Sequence, residues 1–190
     1  NLPGKTRLKP QCQACMFVRM QINLERIKND IYTLSRFGYN AEDQGIYRQG
    51  FSDEDMKARL WLMKQLDELQ LHNYMDGAGN VIGRYGTSEQ KSLLIGSHLD
   101  SVPAGGMFDG VLGVIAGLEC IRVLKENNIE LQHAVEVVAT SEEEGRFGGM
   151  LGAEAMTGKL TMDWLERARD HTGELLRDAM ARCQLPYHLA

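Results

Sequence analysis

The sequence contains few cysteines and no pattern that would make them a disulfide framework. Its 190 residues include four, Cys12, Cys15, Cys120 and Cys183, and their uneven spacing is typical of a protein from a reducing compartment. Cys120 falls within an apolar helical pattern, so we expect a buried thiol there. The sequence therefore predicts a cytoplasmic protein whose fold does not depend on disulfide bonds.

Long apolar runs and long basic runs are also missing. No stretch is apolar over the roughly 20 residues that a bilayer-crossing helix needs, and the net charge of −5 includes no basic cluster. We therefore expect neither a membrane span nor a nucleic-acid partner. The 43% apolar and 25% charged residues are ordinary for a globular protein, and the chain is long enough to bury a core.

The beginning of the chain differs in composition from the rest. Residues 1–18 carry three basic residues and two prolines without a hydrophobic period, and they lack the apolar core of a secretory signal. We predict that residues 1–19 form a disordered extension or leader and that residues 20–190 form the folded part. The pair Cys12-x-x-Cys15 leaves open a second interpretation, half of a zinc site or a redox motif, although no second pair follows.

Apolar spacing near the beginning of the folded part predicts two amphipathic helices. The first covers residues 22–37 and ends at Gly38. The second follows Ser52, a suitable N-cap residue, and continues to about Leu69. The side chains predicted to face the core from these helices are Ile22, Ile27, Ile31, Leu34, Leu60, Leu62, Met63 and Leu66.

The rest of the chain alternates between strand and helix patterns. A turn at 76–80 joins the first two predicted strands into a hairpin, and the two later strands have the continuous apolar character of strands buried on both faces. Strand–helix–strand order predicts an α/β fold with a mixed sheet flanked by helices. The predicted strands are 71–75, 81–85, 92–96 and 134–139, and the predicted helices are 110–127, 161–169 and 174–183.

Histidine and acidic side chains follow the predicted buried strands. His98 and Asp100 come after 92–96, and Glu142–Glu144 come after 134–139. Sites in such sheets form beyond the carboxyl ends of the strands, so these side chains should converge. Histidine and carboxylates are ligands of divalent metals, and three successive glutamates are costly unless a cation or shared protons offset their repulsion.

Each of these residues could have a separate task in a metal site. Asp100, at i+2 from His98, could accept a hydrogen bond from one ring nitrogen and leave the other for a metal. Asp109 could bridge two cations, Glu144 could complete a shell, and Glu143 would be free as a base. The ordinary alternatives are a structural histidine, a helix cap at Asp109 and a solvated turn at the glutamates. The residue pattern alone leaves both interpretations open.

Three motifs closely resemble the M20 metallopeptidase superfamily, in particular its amidase/hydantoinase/carbamoylase branch. That branch contains N-carbamoyl-L-amino-acid hydrolases, allantoate amidohydrolases and β-ureidopropionases, and the likeness extends from about Met20 to Leu185. The motifs are Gly-Ser-His98-Leu-Asp100-Ser-Val-Pro, Gly-Gly-Met-Phe-Asp109-Gly and Glu142-Glu143-Glu144-Gly145-Arg146-Phe147.

The resemblance implies a partial zinc-exopeptidase-like catalytic domain with two divalent metal ions, zinc or manganese, with nickel or cobalt as substitutes. By motif, His98 binds one metal, Asp109 bridges both, Glu144 binds the other, Glu143 is the general base and Asp100 is the partner of His98. The implied reaction is hydrolysis of a linear amide or ureido C–N bond in a small molecule, such as an N-carbamoyl-L-amino acid or an allantoate-like substrate.

The chain departs from the family pattern in two respects. Arg146 follows Gly145 directly, whereas the family has a spacer residue, so we expect a shifted loop. The resemblance also implies a lid domain through which relatives form homodimers, and two further metal-binding histidines, none of which this sequence contains. We hypothesise a fragment or truncated relative with an exposed sheet edge and weak or no activity alone. An M20-type aminopeptidase or dipeptidase and a non-catalytic module are the alternatives.

Overall fold

A mixed four-stranded sheet organises residues 20–185, the part of the chain that the computed structural model describes. Its strands are β1 (His72–Met75), β2 (Val81–Tyr85), β3 (Ser92–His98) and β4 (Ala134–Thr140). They lie in the order β1-β2-β4-β3; β2 pairs antiparallel with β1 and β4, and β3 runs parallel to β4. The predicted mixed sheet and its first hairpin are confirmed.

Helices flank this sheet, as the sequence predicts. Ser52 is the N-cap of the second helix, where its side chain accepts a hydrogen bond from the Asp55 amide. The fourth helix has only six residues and lies in a glycine-rich region, so its apolar spacing gives no signal. No helix within residues 20–185 is long and apolar enough to cross a membrane. The helices are α1 (Leu24–Ser35), α2 (Asp53–Glu68), α3 (Val111–Glu126), α4 (Leu151–Met156), α5 (Met162–Arg167) and α6 (Leu176–Arg182).

Two apolar clusters support the fold. The larger lies between the sheet and helices α2 and α3, where side chains such as Leu62, Ile115 and Val137 are fully buried. The smaller joins Phe51 and Phe147 to α4, α5 and α6. The second cluster fixes the segment that follows β4, and this segment carries the three glutamates.

Two predicted core positions in the first helices are wrong. Leu60 is 57% exposed and Ile22 is 55% exposed. At 100° per residue, Leu60 lies about 200° around α2 from the buried Ala58 and Leu62. Ile22 precedes the N-cap residue of α1 and therefore lies outside the helix.

The prediction that β3 is buried on both faces is also wrong. Leu93 is 61% exposed and Leu94 is 43% exposed. Within the described residues, β3 pairs with β4 alone and forms an edge of the sheet. A short apolar strand predicts burial correctly only when neighbours cover both of its sides, as they do for β4. The exposed sheet edge that the family resemblance implies is present here.

The predicted burial of Cys120 is wrong as well, because this thiol is exposed. Cys120 is four residues from Ala116 and eight from Leu112, and these three residues share the outer face of α3. The pair Cys12 and Cys15, and with it the predicted extension over residues 1–19, lies outside the described residues.

Candidate metal centre

His98 reaches the candidate site because it is the last residue of β3, opposite Thr140 of β4. The N-cap of α3, Gly110, lies against its ring: a Cβ atom there would be 2.5 Å from His98 Cε1, and φ is +65°. Only glycine tolerates both the contact and the backbone angle. The α3 N-terminus can thus approach β3 closely enough to place Asp109 beside His98.

The structure brings His98, Asp109 and Glu144 together. One potential ligand atom from each lies within 4.8 Å of the others, although Asp109 and Glu144 are far apart in sequence. His98 is buried, Glu144 is half-buried and Asp109 is exposed, so the group opens to solvent on one side. Within residues 20–185, these three residues form a group that could hold a metal ion.

The orientation of the His98 ring fits a cation. Nδ1 lies 3.0 Å from the backbone oxygen of Asp100, so this nitrogen carries the proton and donates it. Nε2 is therefore the ring nitrogen that faces Asp109 Oδ1 at 3.9 Å and Glu143 Oε2 at 3.6 Å. One imidazole nitrogen beside carboxylate oxygens is a set of donor atoms that suits a divalent cation.

The Asp100 side chain has a different contact from the one predicted. Its Oδ1 is 3.7 Å from His98 Nδ1, too far for a hydrogen bond, and the backbone oxygen of Asp100 accepts the imidazole N–H instead. Asp100 Oδ2 accepts a hydrogen bond of 3.0 Å from the Glu144 amide. Asp100 therefore connects His98 to Glu144 through its backbone on one side and its carboxylate on the other.

The three glutamates have three different environments. Glu142 is fully buried, and its oxygens accept hydrogen bonds from the Phe147 amide at 2.7 Å and the Gly149 amide at 3.2 Å. Burial outweighs these bonds and raises the pKa of Glu142 to about 7. Backbone amides and a raised pKa thus accompany the burial of Glu142, and neither a solvated turn nor a row of ligands describes all three glutamates.

The carboxyl group of Glu144 lies among the charged groups expected around a metal ligand. Burial raises the pKa of its carboxyl, His98 opposes that shift, and the nearby Asp109 and Glu143 carboxylates add to it. Glu143 is partly exposed, and its carboxylate faces the His98 ring. The ordinary interpretation of Asp109 as a helix cap does not hold, because the α3 N-terminus has no side-chain cap hydrogen bond.

Arg146 fixes the segment that carries Glu144. Its guanidinium donates to Asp170 Oδ2 at 3.0 Å, to Glu174 at 2.5 Å and to the backbone oxygen of Gly50 at 3.0 Å. Hydrogen bonds from Thr172 and Arg146 outweigh the burial of Asp170 and lower its pKa to about 2. Sequence reasoning missed these carboxylates, because Asp170 and Glu174 are 24 and 28 residues away from Arg146 in the sequence.

A cavity of about 370 Å³ adjoins the site. It is lined by Glu144 and Arg146 and by Ser101, Val102 and Pro103 from the loop after β3. His171, which matches no family motif, also lines it. The cavity provides room for a small molecule beside the candidate ligands.

Arg48 is a further residue without a sequence signal. It is fully buried, and its side chain donates hydrogen bonds to backbone oxygens, including that of Leu99 between His98 and Asp100. A single arginine in a polar loop has no periodicity that would predict burial.

Comparison with known proteins agrees with these motifs. Residues 80–170 match the family model of Peptidase family M28. The N-carbamoyl-L-amino-acid amidohydrolase of Geobacillus stearothermophilus is 43% identical over 166 residues, covering 85% of this chain and 40% of that protein. The allantoate amidohydrolase of Bacillus subtilis is 34% identical over 158 residues, 81% of this chain and 38% of the relative.

Solved structures give the same result. A hydantoinase/carbamoylase family amidase from Burkholderia phymatum is 39% identical with a TM-score of 0.80, covering 87% of this chain and 40% of that one. Another from Burkholderia ambifaria is 32% identical with a TM-score of 0.81, covering 87% and 42%. This chain thus spans about two fifths of the length of these relatives. In its fold, its motifs and its sequence, this chain is similar to about two fifths of the length of the hydantoinase/carbamoylase family amidases.

Proposed function

We propose that this chain carries part of the active centre of a metal-dependent amidohydrolase that cleaves ureido C–N bonds, with N-carbamoyl-L-amino acids or allantoate-like molecules as substrates. The observation that carries the proposal is the approach of His98, Asp109 and Glu144 to within 4.8 Å of one another. The names of relatives at 34% to 43% identity support the reaction class.

The three residues would hold two divalent ions, with Asp109 between them, His98 on one and Glu144 on the other. Zinc and manganese both suit one nitrogen and several carboxylate oxygens, and nickel or cobalt could replace them. The chemistry that such ions supply when bound is polarisation of a carbonyl group and a lower pKa of water.

The side chains around these ligands would perform the proton transfers. Glu143 lies beside the ligand group without belonging to it, so its carboxylate is free to take a proton from water and return it to the leaving nitrogen. The backbone oxygen of Asp100 keeps the proton of His98 on Nδ1. The cavity lined by Glu144 and Val102 would receive the remainder of the substrate.

We expect this chain alone to have weak or no activity. The family resemblance implies five metal ligands, and three correspond to residues of this sequence; metal affinity falls as ligands are lost. The whole protein would form homodimers through a domain outside this sequence. The few, scattered cysteines favour the cytoplasm as its location.

A substrate comparison tests the proposed reaction. N-carbamoyl-L-amino acids, allantoate and dipeptides are each incubated with the chain and Zn²⁺ or Mn²⁺, in parallel with a Glu143→Gln variant. Slow release of ammonia from the carbamoyl or allantoate substrates, lost in the variant, would support the proposal. Hydrolysis of dipeptides alone would favour the aminopeptidase or dipeptidase alternative. Failure to bind either metal would favour the non-catalytic module.

A further inference from the structure

We propose that Arg48 is a positioning residue of the candidate metal centre, holding the backbone between His98 and Asp100 so that the imidazole and Glu144 keep their relative places. This inference rests on the proposed metal-dependent function. Arg48 is a buried charged residue that lies about 50 residues before the His98 motif in the sequence.

The contacts of the Arg48 side chain extend to two elements. Nε donates to the backbone oxygen of Leu99 at 2.5 Å. Nη1 donates to the backbone oxygens of Leu34 at 2.6 Å and Phe37 at 3.1 Å. The latter two lie at the C-terminal end of α1, where carbonyl groups can accept hydrogen bonds from side chains; the Leu34 oxygen also accepts from the Phe37 amide at 3.2 Å. One planar guanidinium thus joins the end of α1 to the peptide group between His98 and Asp100.

The backbone of Arg48 strengthens the same connection. Its N–H donates to Ser101 Oγ at 3.1 Å, and its oxygen accepts from the Ser101 amide at 2.9 Å. Ser101 Oγ in turn donates to the backbone oxygen of Ile46 at 3.2 Å. The residues on both sides of Asp100 are therefore fixed to the Arg48 segment.

Asp100 transmits this position to the second ligand. Its backbone oxygen lies against His98 Nδ1, and its Oδ2 accepts the hydrogen bond of the Glu144 amide. A displacement of Leu99 would consequently move the acceptor of the His98 proton and the acceptor of the Glu144 amide together. Contacts that orient metal ligands in this way affect metal affinity, typically about 10- to 100-fold when removed.

Burying the charge of Arg48 costs free energy, so a contact with a structural task alone would not require an arginine there. The side chain is fully buried, and the loss of hydration lowers its pKa, while Asp55 and Asp100 oppose that shift. Lysine carries the same charge, but it lacks the rigid fork that contacts two elements at once. Replacement of arginine by lysine therefore separates the geometry of the contact from its charge.

The experiment compares Arg48→Lys with Arg59→Lys in the full chain. Arg59 is equally buried, and it contacts Asp55 and the backbone oxygen of Gly79 rather than the His98–Ser101 segment. Two properties are measured below the unfolding transition: the affinity for Zn²⁺, by competition with a chelating dye, and the hydrogen exchange rate of the Glu144 amide. Global stability is measured for all proteins by thermal unfolding.

We expect Arg48→Lys to weaken Zn²⁺ binding roughly 10-fold or more and to accelerate exchange of the Glu144 amide by a similar factor. Arg59→Lys should change both by less than about threefold at comparable loss of stability. Equal effects of the two variants, or no effect of Arg48→Lys on either property, would overturn the inference.

Two complications have their own outcomes. If the parent chain binds neither Zn²⁺ nor Mn²⁺, the proposed function fails, and the exchange rate of the Glu144 amide alone decides on Arg48. If Arg48→Lys does not fold, Ser101→Ala replaces it, since this variant removes the Ser101 hydroxyl contacts with Arg48 and Ile46. Faster exchange of the Glu144 amide in Ser101→Ala would support the inference, and an unchanged rate would refute it.

Discussion

At the scale of single residues, adjacent glutamates serve different purposes because their surroundings differ. Glu142 is enclosed by backbone amides, Glu143 faces the His98 ring, and Glu144 carries a candidate ligand atom. Sequence reasoning separated Glu143 from Glu144 because neighbouring side chains point in different directions. It could not predict the burial of Glu142, since that depends on how the glycine-rich turn folds back to present its amides.

The raised pKa of Glu142 gives a prediction with a definite sign. Its folded pKa of about 7 exceeds the ordinary value, so the folded state binds the proton more tightly and loses stability as pH rises from about 4.5 to 7. Glu142→Gln cannot titrate. Its stability relative to the parent should therefore increase from pH 5 to pH 8, by on the order of 2 kcal/mol.

Urea unfolding of both proteins at several pH values measures this difference. Comparison at each pH cancels all other titrations and any constant effect of the amide. A relative stability that is independent of pH would show that Glu142 does not hold its proton in the folded state.

Glu143 and Glu144 should differ in their effect on metal binding. Glu144→Gln replaces a charged ligand carboxylate by a neutral amide, so we expect the affinity for Zn²⁺ or Mn²⁺ to fall by about 100-fold or more. Glu143→Gln removes only a neighbouring charge and should weaken binding by about two- to threefold. Isothermal titration of the two variants provides the comparison, and equal losses would mean that Glu143 is itself a ligand.

At the scale of elements, periodicity predicts where the four strands and all helices except α4 lie along the chain. It does not predict which elements pack against one another. The run 92–96 is apolar, but β3 lies at a sheet edge with Leu93 and Leu94 exposed. Strand order is set by contacts between distant segments, and no local pattern encodes it. The same limit explains Asp100: the i+2 spacing predicts a hydrogen bond between its carboxylate and His98, but that carboxylate accepts from the Glu144 amide, which belongs to a segment 44 residues away.

The close approach of α4 to Asn80 and to Ser141, the residue after β4, depends on one glycine. A Cβ atom on Gly152 would lie 2.0 Å from Asn80 Oδ1 and 2.4 Å from the Ser141 amide nitrogen. Gly152→Ala should therefore destabilise the fold by roughly 1–3 kcal/mol or more, despite the better helix propensity of alanine. Thermal unfolding tests this, with Gly106→Ala as the control because no atom lies within 4 Å of its added Cβ. Equal midpoints for the two variants would contradict the close contact.

At the scale of the whole molecule, the described residues present one side of a site. The candidate ligands open to solvent at Asp109, and β3 leaves one edge of the sheet without a partner strand among residues 20–185. The chain matches about two fifths of the length of its relatives. The motifs were enough to recognise the family resemblance, and the position of His98, Asp109 and Glu144 at strand and helix ends was enough to predict that they lie close together. The roles of Arg48 and Arg146 could not be predicted, because neither residue lies in a periodic pattern that indicates its contacts.

The most direct test of this account is the metal content and affinity of the chain, measured by mass spectrometry and isothermal titration with Zn²⁺ and Mn²⁺. His98→Ala is compared with His133→Ala, an exposed histidine just before the opposite end of β4. We predict that the parent and His133→Ala bind metal alike, and that His98→Ala loses at least about 100-fold in affinity. No binding by the parent, or equal binding by both variants, would contradict a metal centre built on His98, Asp109 and Glu144.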